Sequence, residues 1–92
     1  MENIINTSPT TTATAGYVPI LQNLSRVVRG RREELGLSQD ELAHRSGLHR
    51  TYISDIERGA RNLSLKNLVR LAEALEVPAS KLMSWVEGSG EV

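Results

Sequence analysis

Residues 37–59, with the sequence LSQDELAHRSGLHRTYISDIERG, decide the fold that this chain adopts. Ser38 and Glu41 form a capping box: the serine oxygen can accept the amide of residue 41, and the glutamate can accept the amide of residue 38. The helix that they open is short and ends near Gly47, and a second helix covers about residues 50–58. The stretch therefore predicts two short helices joined by a tight turn.

The spacing of small and apolar residues within this stretch is that of a helix-turn-helix. Ala43 is small where the backbones of two helices must cross closely, and Gly47 lies in a turn that needs a positive φ. The apolar wedge between the helices consists of Leu42, Leu48, Ile53 and Ile56. The second helix is thereby held so that its first turn and its outer face project into solvent.

The projecting face carries residues that suit the major groove of DNA, namely Arg50, Thr51, Ser54, Asp55 and Arg58. An arginine can bond bidentately with guanine O6 and N7, and a threonine can offer a hydroxyl to a base edge or a methyl to thymine. Asp55 repels phosphate, so its carboxylate either accepts from cytosine N4 or orients an arginine. Gln39 and Arg58 flank the face at helix ends, where phosphates would pass.

On these residues the chain resembles the Cro/phage-repressor type, or xenobiotic-response-element type, of helix-turn-helix regulator. The resemblance runs from about Leu24 to Met83 and rests on three motifs: Leu-Ser-Gln-x-Glu-Leu-Ala, Ser-Gly-Leu, and Tyr-Ile-Ser-x-Ile-Glu-Arg-Gly. Within that family, segments 50–54, 56–58 and 61–63 are similar to controller proteins of restriction–modification systems, which are small dimeric regulators. The resemblance implies an all-α fold, a compact five-helix lambda-repressor-like DNA-binding domain.

The resemblance also implies a role for each matching position. It implies base contacts from Arg50 and Thr51, and we expect Ser54 and Asp55, which lie on the same helix face, to contact bases as well. Arg32 and Glu57 match a structural ion pair that ties the first helix to the third. Contacts with the DNA backbone, or contacts that depend on DNA shape, are implied for Gln39, Tyr52, Arg58, Arg61 and Asn62.

Four positions, Tyr52, Arg61, Asn62 and His49, keep more than one interpretation. Tyr52 either contacts DNA or packs inside the protein. Arg61 and Asn62 either contact DNA or form a turn that caps the fourth helix. His49 departs from the family pattern, since it stands at the cap position of the recognition helix, where Ser, Thr, Asp or Asn is usually stronger. It caps the helix, contacts a phosphate or does neither.

Composition along the chain predicts a tail and one domain. Residues 7–14 contain five threonines, one proline and no charge, and such a segment cannot bury enough apolar surface to offset its ordering entropy. We expect residues 1–16 to form a flexible arm, residues 17–87 to form the helix-turn-helix DNA-binding domain, and residues 88–92 to fray. Apolar spacing predicts five helices, with Ser64 capping the fourth and Pro78 in the first turn of the fifth.

The last predicted helix carries an apolar group formed by Leu82, Met83, Trp85 and Val86. These side chains either cover the core of one subunit or form a homodimer interface with Trp85 as an anchor. We expect the interface. A two-fold dimer would present two recognition helices to half-sites separated by about one helical turn, roughly 34 Å.

Overall composition excludes several classes of protein. The 92 residues suffice for one domain, the absence of cysteine rules out disulfides and thiolate metal sites, and the two histidines are five positions apart and share no helix face. No apolar run approaches the roughly 20 residues that cross a bilayer, and no signal peptide is recognised. Eleven basic residues balance eleven acidic ones, but residues 25–66 hold nine basic and six acidic residues, so the predicted DNA-binding part is positive.

Together these observations predict a sequence-specific transcriptional regulator, a homodimer on a pseudo-palindromic operator in double-stranded DNA. We expect no enzymatic activity, because no nucleophile paired with a base, metal-ligand cluster or Gly-rich phosphate loop is found. We also expect no cofactor, no metal, no small-molecule effector and no membrane contact, and a cytoplasmic place at a bacterial or phage-type nucleoid. The alternative is a protein-interaction module with the same fold, such as an antitoxin or an adaptor.

Overall fold

The computed structural model describes the backbone of residues 10–88 and the side chains of residues 20–88. Within these residues the chain forms five helices and no strand: α1 (Thr10–Glu34), α2 (Gln39–Ser46), α3 (Arg50–Glu57), α4 (Leu65–Ala74) and α5 (Ala79–Gly88). The predicted all-α, five-helix fold is confirmed. None of the helices in this described part combines the length and the apolar character that crossing a membrane requires.

Local sequence sets where α2 and α4 begin. The Ser38 hydroxyl oxygen accepts the amide of Glu41 at 3.0 Å, and the Glu41 carboxylate accepts the amide of Ser38 at 2.8 Å, so the predicted capping box is present. Ser64 caps α4 by accepting the amide of Asn67 at 3.1 Å. These bonds satisfy amides that have no partner within their own helix.

The turn between α2 and α3 depends on Gly47. Its φ is +75°, in the left-handed region where a side chain is strained, and its amide donates to the Ala43 carbonyl at 2.9 Å. Ser46 beside it is buried and donates its hydroxyl to the Leu42 carbonyl at 2.8 Å. The chain therefore leaves α2 abruptly and enters α3 after two further residues.

The core lies between all five helices. Its largest fully buried side chains are Val28, Leu42, Ile53, Ile56, Leu71, Leu75, Leu82 and Val86. α3 packs against α1 and α2, while α5 packs against α1 and α4, so that every helix covers part of one cluster. Because Ile53 and Ile56 form the buried face of α3, the opposite face of that helix is fixed toward solvent.

The ends of two helices differ from the predicted boundaries. α1 begins at Thr10, inside the predicted arm, because adding residues to an existing helix costs far less than starting one. The remainder of the predicted arm and of the predicted frayed end, residues 1–9 and 89–92, lies outside the described residues. Pro78 lies immediately before α5 rather than in its first turn, and its carbonyl accepts the Leu82 amide at 3.0 Å.

The structure corrects the predicted dimer interface on α5. Leu82 and Val86 are 0% and 1% exposed, so both belong to the core of one subunit. The prediction that they contact a second subunit is wrong, because residues four apart share one helix face and α1 and α4 cover that face. Met83 and Trp85 are partly exposed, and Trp85 packs against the core from outside.

Candidate nucleic-acid interface

α3 presents its first turn to solvent. The side chain of Arg50 is 63% exposed and Thr51 is exposed beside it, whereas Ile53 and Ile56 on the opposite face are fully buried. His49 occupies the N-cap position with an extended backbone, and its side chain makes no capping bond. The structure therefore excludes helix capping by the His49 side chain. A contact between His49 and a phosphate stays a prediction.

A buried ion pair fixes the far end of α3. Arg32 of α1 donates two bonds to Glu57, from Nε to Oε2 at 2.7 Å and from Nη2 to Oε1 at 3.0 Å. The bond to Glu57 raises the pKa of Arg32 above its ordinary value, although burial acts in the opposite direction. The ion pair that the resemblance implied is present, and it ties α1 to α3.

Two neighbours complete the surroundings of Glu57. Gln39 donates from Nε2 to Glu57 Oε1 at 3.0 Å, and the Ser25 hydroxyl donates to the Glu57 carbonyl. The side chain of Gln39, for which the sequence predicts a contact with the DNA backbone, therefore also holds the end of α3. Its contact with DNA stays a prediction.

Asp55 lies at the centre of a polar cluster on the outer face of α3. Its side chain is 16% exposed and pairs with the guanidinium groups of Arg58 and Arg61, the latter at 3.2 Å. Arg58 also donates from Nη1 to Ser54 Oγ at 3.0 Å. The bond from Arg61, and then that from Arg58, holds the pKa of Asp55 below its ordinary value. Of the two interpretations of Asp55, this geometry matches the one in which the carboxylate orients arginines.

Tyr52 connects α3 with the loop before α4 and with α4 itself. The guanidinium carbon of Arg61 lies 4.6 Å from the centre of the Tyr52 ring, within the range of a cation–π contact. Asn67 donates from Nδ2 to the Tyr52 hydroxyl at 3.0 Å, and that hydroxyl lies 3.5 Å from the Asn62 carbonyl. Tyr52 thus packs and supports Arg61. Asn67 could not be singled out from the sequence, because its only signal there is its place three residues after the cap of α4.

Asp40 is a second residue that sequence analysis missed. Its Oδ1 lies 3.1 Å from Nε of Arg50, so an acidic residue of α2 pairs with the first residue of α3. The only signal in the sequence is that Asp40 lies in the first turn of α2, where the helix dipole favours an acidic residue. The contact with Arg50 arises from the packing of α2 on α3.

Exposed arginines lie at both ends of α3. Arg50 begins the helix, Arg58 follows its last residue and Arg61 lies in the next loop, all three with exposed guanidinium groups. Exposed guanidinium groups around a protruding helix suit the phosphates and base edges of duplex DNA. Within the described side chains, no group of three histidine or acidic residues is arranged to hold a metal ion.

A second candidate surface is apolar and centres on α4. Leu65, Ile20 and Val69 are large side chains with 77%, 42% and 40% of their surface exposed. A groove of about 410 Å³ adjoins Leu65 and Ile20, and Met83 also lines it. These four residues, Ile20, Leu65, Val69 and Met83, are called the apolar face below. Of these four residues, only Met83 was among those predicted to form a dimer interface.

A family model described as helix-turn-helix matches residues 28–82. The chain belongs to the helix-turn-helix family. The match spans α2, α3 and α4 together with the adjoining parts of α1 and α5. The predicted resemblance to helix-turn-helix regulators is therefore confirmed.

The relatives of this helix-turn-helix protein include control proteins. Control protein C.SmaI of Serratia marcescens is 44% identical over 68 residues, which cover 74% of this chain and 81% of the relative. Control protein C.BamHI of Bacillus amyloliquefaciens is 51% identical over 49 residues, which cover 53% of this chain and 60% of the relative. The predicted similarity to controller proteins is confirmed.

Solved structures share the arrangement of the helices. The restriction–modification controller protein C.AhdI from Aeromonas hydrophila matches with a TM-score of 0.65 and 44% identity over 67% of this chain and 94% of that chain. The controller protein C.Esp1396I, solved as a tetramer in complex with its natural 35-base-pair operator, matches with a TM-score of 0.68 and 39% identity. That match covers 75% of this chain and 91% of the neighbour.

Proposed function

We propose that this protein is a transcriptional regulator that recognises a specific sequence in duplex DNA and controls a restriction–modification system. One observation carries the proposal: Arg50 and Thr51 are exposed at the start of α3, while Ile53 and Ile56 on its other face are fully buried. A helix held in this way can enter the major groove with its first turn foremost.

Base contacts are assigned to Arg50 and Thr51. The solved neighbours include variants of C.Esp1396I in which an arginine, a threonine and a tyrosine at three consecutive positions are replaced. The same three residue types follow each other here as Arg50, Thr51 and Tyr52. This correspondence supports placing DNA recognition in the first turn of α3, with Tyr52 as the residue that supports Arg61.

Phosphate contacts are assigned to the exposed guanidinium groups of Arg58 and Arg61. Asp55 pairs with both of them, and Ser54 accepts a bond from Arg58. We therefore assign Ser54 and Asp55 to orienting these arginines rather than to base contacts. His49 and Asn62, at the start of α3 and beside Arg61, complete the proposed contacts with the DNA backbone.

The proposed occupant of the apolar face is a second copy of the chain. A leucine with 77% of its surface in water, next to two other large exposed apolar side chains, is unusual for an isolated subunit. C.Esp1396I on its operator is a tetramer, so at least one neighbour of this fold associates with its own copies. A two-fold dimer would place two α3 helices about one turn of DNA apart, roughly 34 Å.

The alternative function, an antitoxin or adaptor, is not favoured. The relatives include control proteins and uncharacterized HTH-type transcriptional regulators, names that favour DNA binding. The proposal accordingly gives the chain no enzymatic activity, cofactor or small-molecule effector. It assigns DNA binding to the domain of residues 17–87 and places the protein on a bacterial or phage genome in the cytoplasm.

Selection of bound duplexes from a random-sequence pool, followed by sequencing, tests the proposal. The purified protein should enrich a motif with two similar half-sites about 10 base pairs apart, because a two-fold dimer reads two successive major grooves. Arg50→Ala should erase the preference at one position of each half-site. Lys81→Ala, which removes an exposed positive charge from α5, should leave the motif unchanged. Absence of any enriched sequence, or of any duplex binding at low salt, would contradict the proposal.

A further inference from the structure

We propose that Asp40 is a positioning residue that aims Arg50 at a guanine, so that the pair rather than the arginine alone sets the base preference. This inference rests on the proposed binding of DNA by α3. Its starting point is the ion pair across the turn between α2 and α3, in which Asp40 Oδ1 lies 3.1 Å from Arg50 Nε.

The geometry of the guanidinium group determines what Asp40 leaves free. A guanidinium group has two edges that can donate two parallel bonds, one formed by Nε with a terminal nitrogen and one formed by both terminal nitrogens. Of the guanidinium nitrogens, Nε is the one placed at 3.1 Å from Asp40 Oδ1, so the carboxylate lies beside the Nε end of the group. Among the described residues, no hydrogen bond from a terminal nitrogen of Arg50 to another protein group is found. The end edge is therefore left for the O6 and N7 atoms of guanine.

The environment of the pair explains why it acts mainly in the complex. In the free protein the side chains of Asp40 and Arg50 are 77% and 63% exposed, so water weakens their attraction and the pair adds little to stability. In the groove water is displaced, and the same attraction strengthens as the local dielectric falls.

The charge of Asp40 gives the inference a distinctive signature. Asp40 belongs to α2, but its carboxylate lies beside the first residue of α3 and therefore repels the phosphate backbone of every sequence alike. Neutralising Asp40 should therefore raise affinity for unrelated DNA while lowering discrimination at one base pair. A residue that only stabilised the fold would change both affinities in the same direction.

The experiment uses the full chain and three duplexes. The first duplex is the one enriched from the random pool, the second carries another base pair at the guanine assigned to Arg50, and the third is a scrambled sequence. Fluorescence anisotropy at one fixed salt concentration gives the three affinities for wild type, Asp40→Asn, Asp40→Glu, Arg50→Ala and the double variant Asp40→Asn/Arg50→Ala. Circular dichroism melting shows that each variant is folded.

A matched control is available on α1. Glu33 pairs with Arg29 at 3.6 Å, and the two side chains are about as exposed as those of Asp40 and Arg50. Glu33→Gln therefore removes one negative charge from an exposed ion pair that lies outside α2 and α3. It should leave the preference for guanine unchanged.

We expect Asp40→Asn to lower the preference for the guanine duplex by about 3- to 10-fold, part of the discrimination that a bidentate arginine provides. Affinity for the scrambled duplex should rise by about 2-fold, because one repulsive charge is lost. Asp40→Glu should recover part of the preference. In the Arg50→Ala background, Asp40→Asn should leave the preference unchanged, since the group that it positions is gone.

Three results would overturn the inference, and they are distinguishable. In the first result, Arg50→Ala lowers the preference for the guanine duplex but Asp40→Asn does not. In the second, Asp40→Asn lowers that preference by the same factor in the Arg50→Ala background as in wild type. Either result would mean that Asp40 does not position Arg50, while the proposed function would stand. If the wild-type protein enriches no duplex at all, both the inference and the proposed function fail.

Discussion

Glu57 accepts three side-chain hydrogen bonds, two from Arg32 and one from Gln39, while being only 7% exposed. Glu57→Ala should lower the free energy of unfolding by about 3 kcal/mol, because it leaves the guanidinium group of Arg32 buried without its partner. Urea unfolding followed by circular dichroism measures the loss. Glu33→Ala removes an exposed partner of Arg29 and should cost at most about 0.5 kcal/mol. Equal losses for the two variants would contradict the assigned role of Glu57.

Arg58 is predicted to contact phosphate rather than a base. Arg58→Ala should therefore weaken binding to all duplexes by a similar factor and reduce the slope of log affinity against log salt by about 1. Anisotropy titrations of the enriched and scrambled duplexes over a range of sodium chloride concentrations provide both quantities. A loss confined to the enriched duplex, with the salt slope unchanged, would mean that Arg58 contacts a base instead.

At the scale of single elements, the start of α2 should respond to acid. The amide of Ser38, and then its hydroxyl, holds the pKa of Glu41 below its ordinary value in the folded protein. A carboxyl group whose pKa is lowered by folding stabilises the fold above its ordinary pKa, and that contribution is lost as the pH falls through the lower, folded value.

Glu41→Gln tests this pH dependence while keeping a side chain that fits the capping box. The melting temperature of this variant should fall less steeply than that of wild type between neutral pH and about pH 3. Glu73→Gln, an exposed substitution on α4, should follow the wild-type profile. Identical profiles for Glu41→Gln and wild type would show that the cap contributes nothing to the acid sensitivity.

Elements also show which features the sequence could predict. The starts of α2 and α4 are predictable, because Ser38 and Ser64 each accept an amide only three residues away. The side of α5 that faces the core is not, because the same apolar spacing serves either a core or an interface until α1 and α4 are placed against it. Contacts between elements were missed for the same reason, since Asp40 meets Arg50 only after α2 packs on α3.

At the scale of the whole molecule, the apolar face should determine the oligomeric state. Leu65→Asp places a charge where the proposed second copy packs, so the variant should sediment as a monomer and bind the enriched duplex more weakly than wild type. Sedimentation velocity over a range of protein concentrations measures this change. Lys66→Ser alters the neighbouring exposed residue of α4 and should leave the dimer intact. If the Leu65→Asp variant still sediments as a dimer, the dimer interface does not include the apolar face.

The family and the DNA-binding face of the molecule follow from one 23-residue stretch, because a capping box, a left-handed glycine and an apolar wedge together leave one helix protruding. The apolar face, by contrast, cannot be predicted from this stretch. Ile20 and Leu65 line one groove only in the folded chain, and periodicity assigns such apolar residues to buried faces as readily as to exposed ones.

The most direct test of the account compares wild type with Arg50→Ala on two duplexes, the enriched one and a version in which the guanine assigned to Arg50 is replaced. Wild type should prefer the guanine duplex by about 5- to 150-fold, the range expected for one bidentate arginine contact, and Arg50→Ala should bind both duplexes equally. If Arg50→Ala keeps the full preference, or if wild type never shows one, then the first turn of α3 does not read DNA sequence.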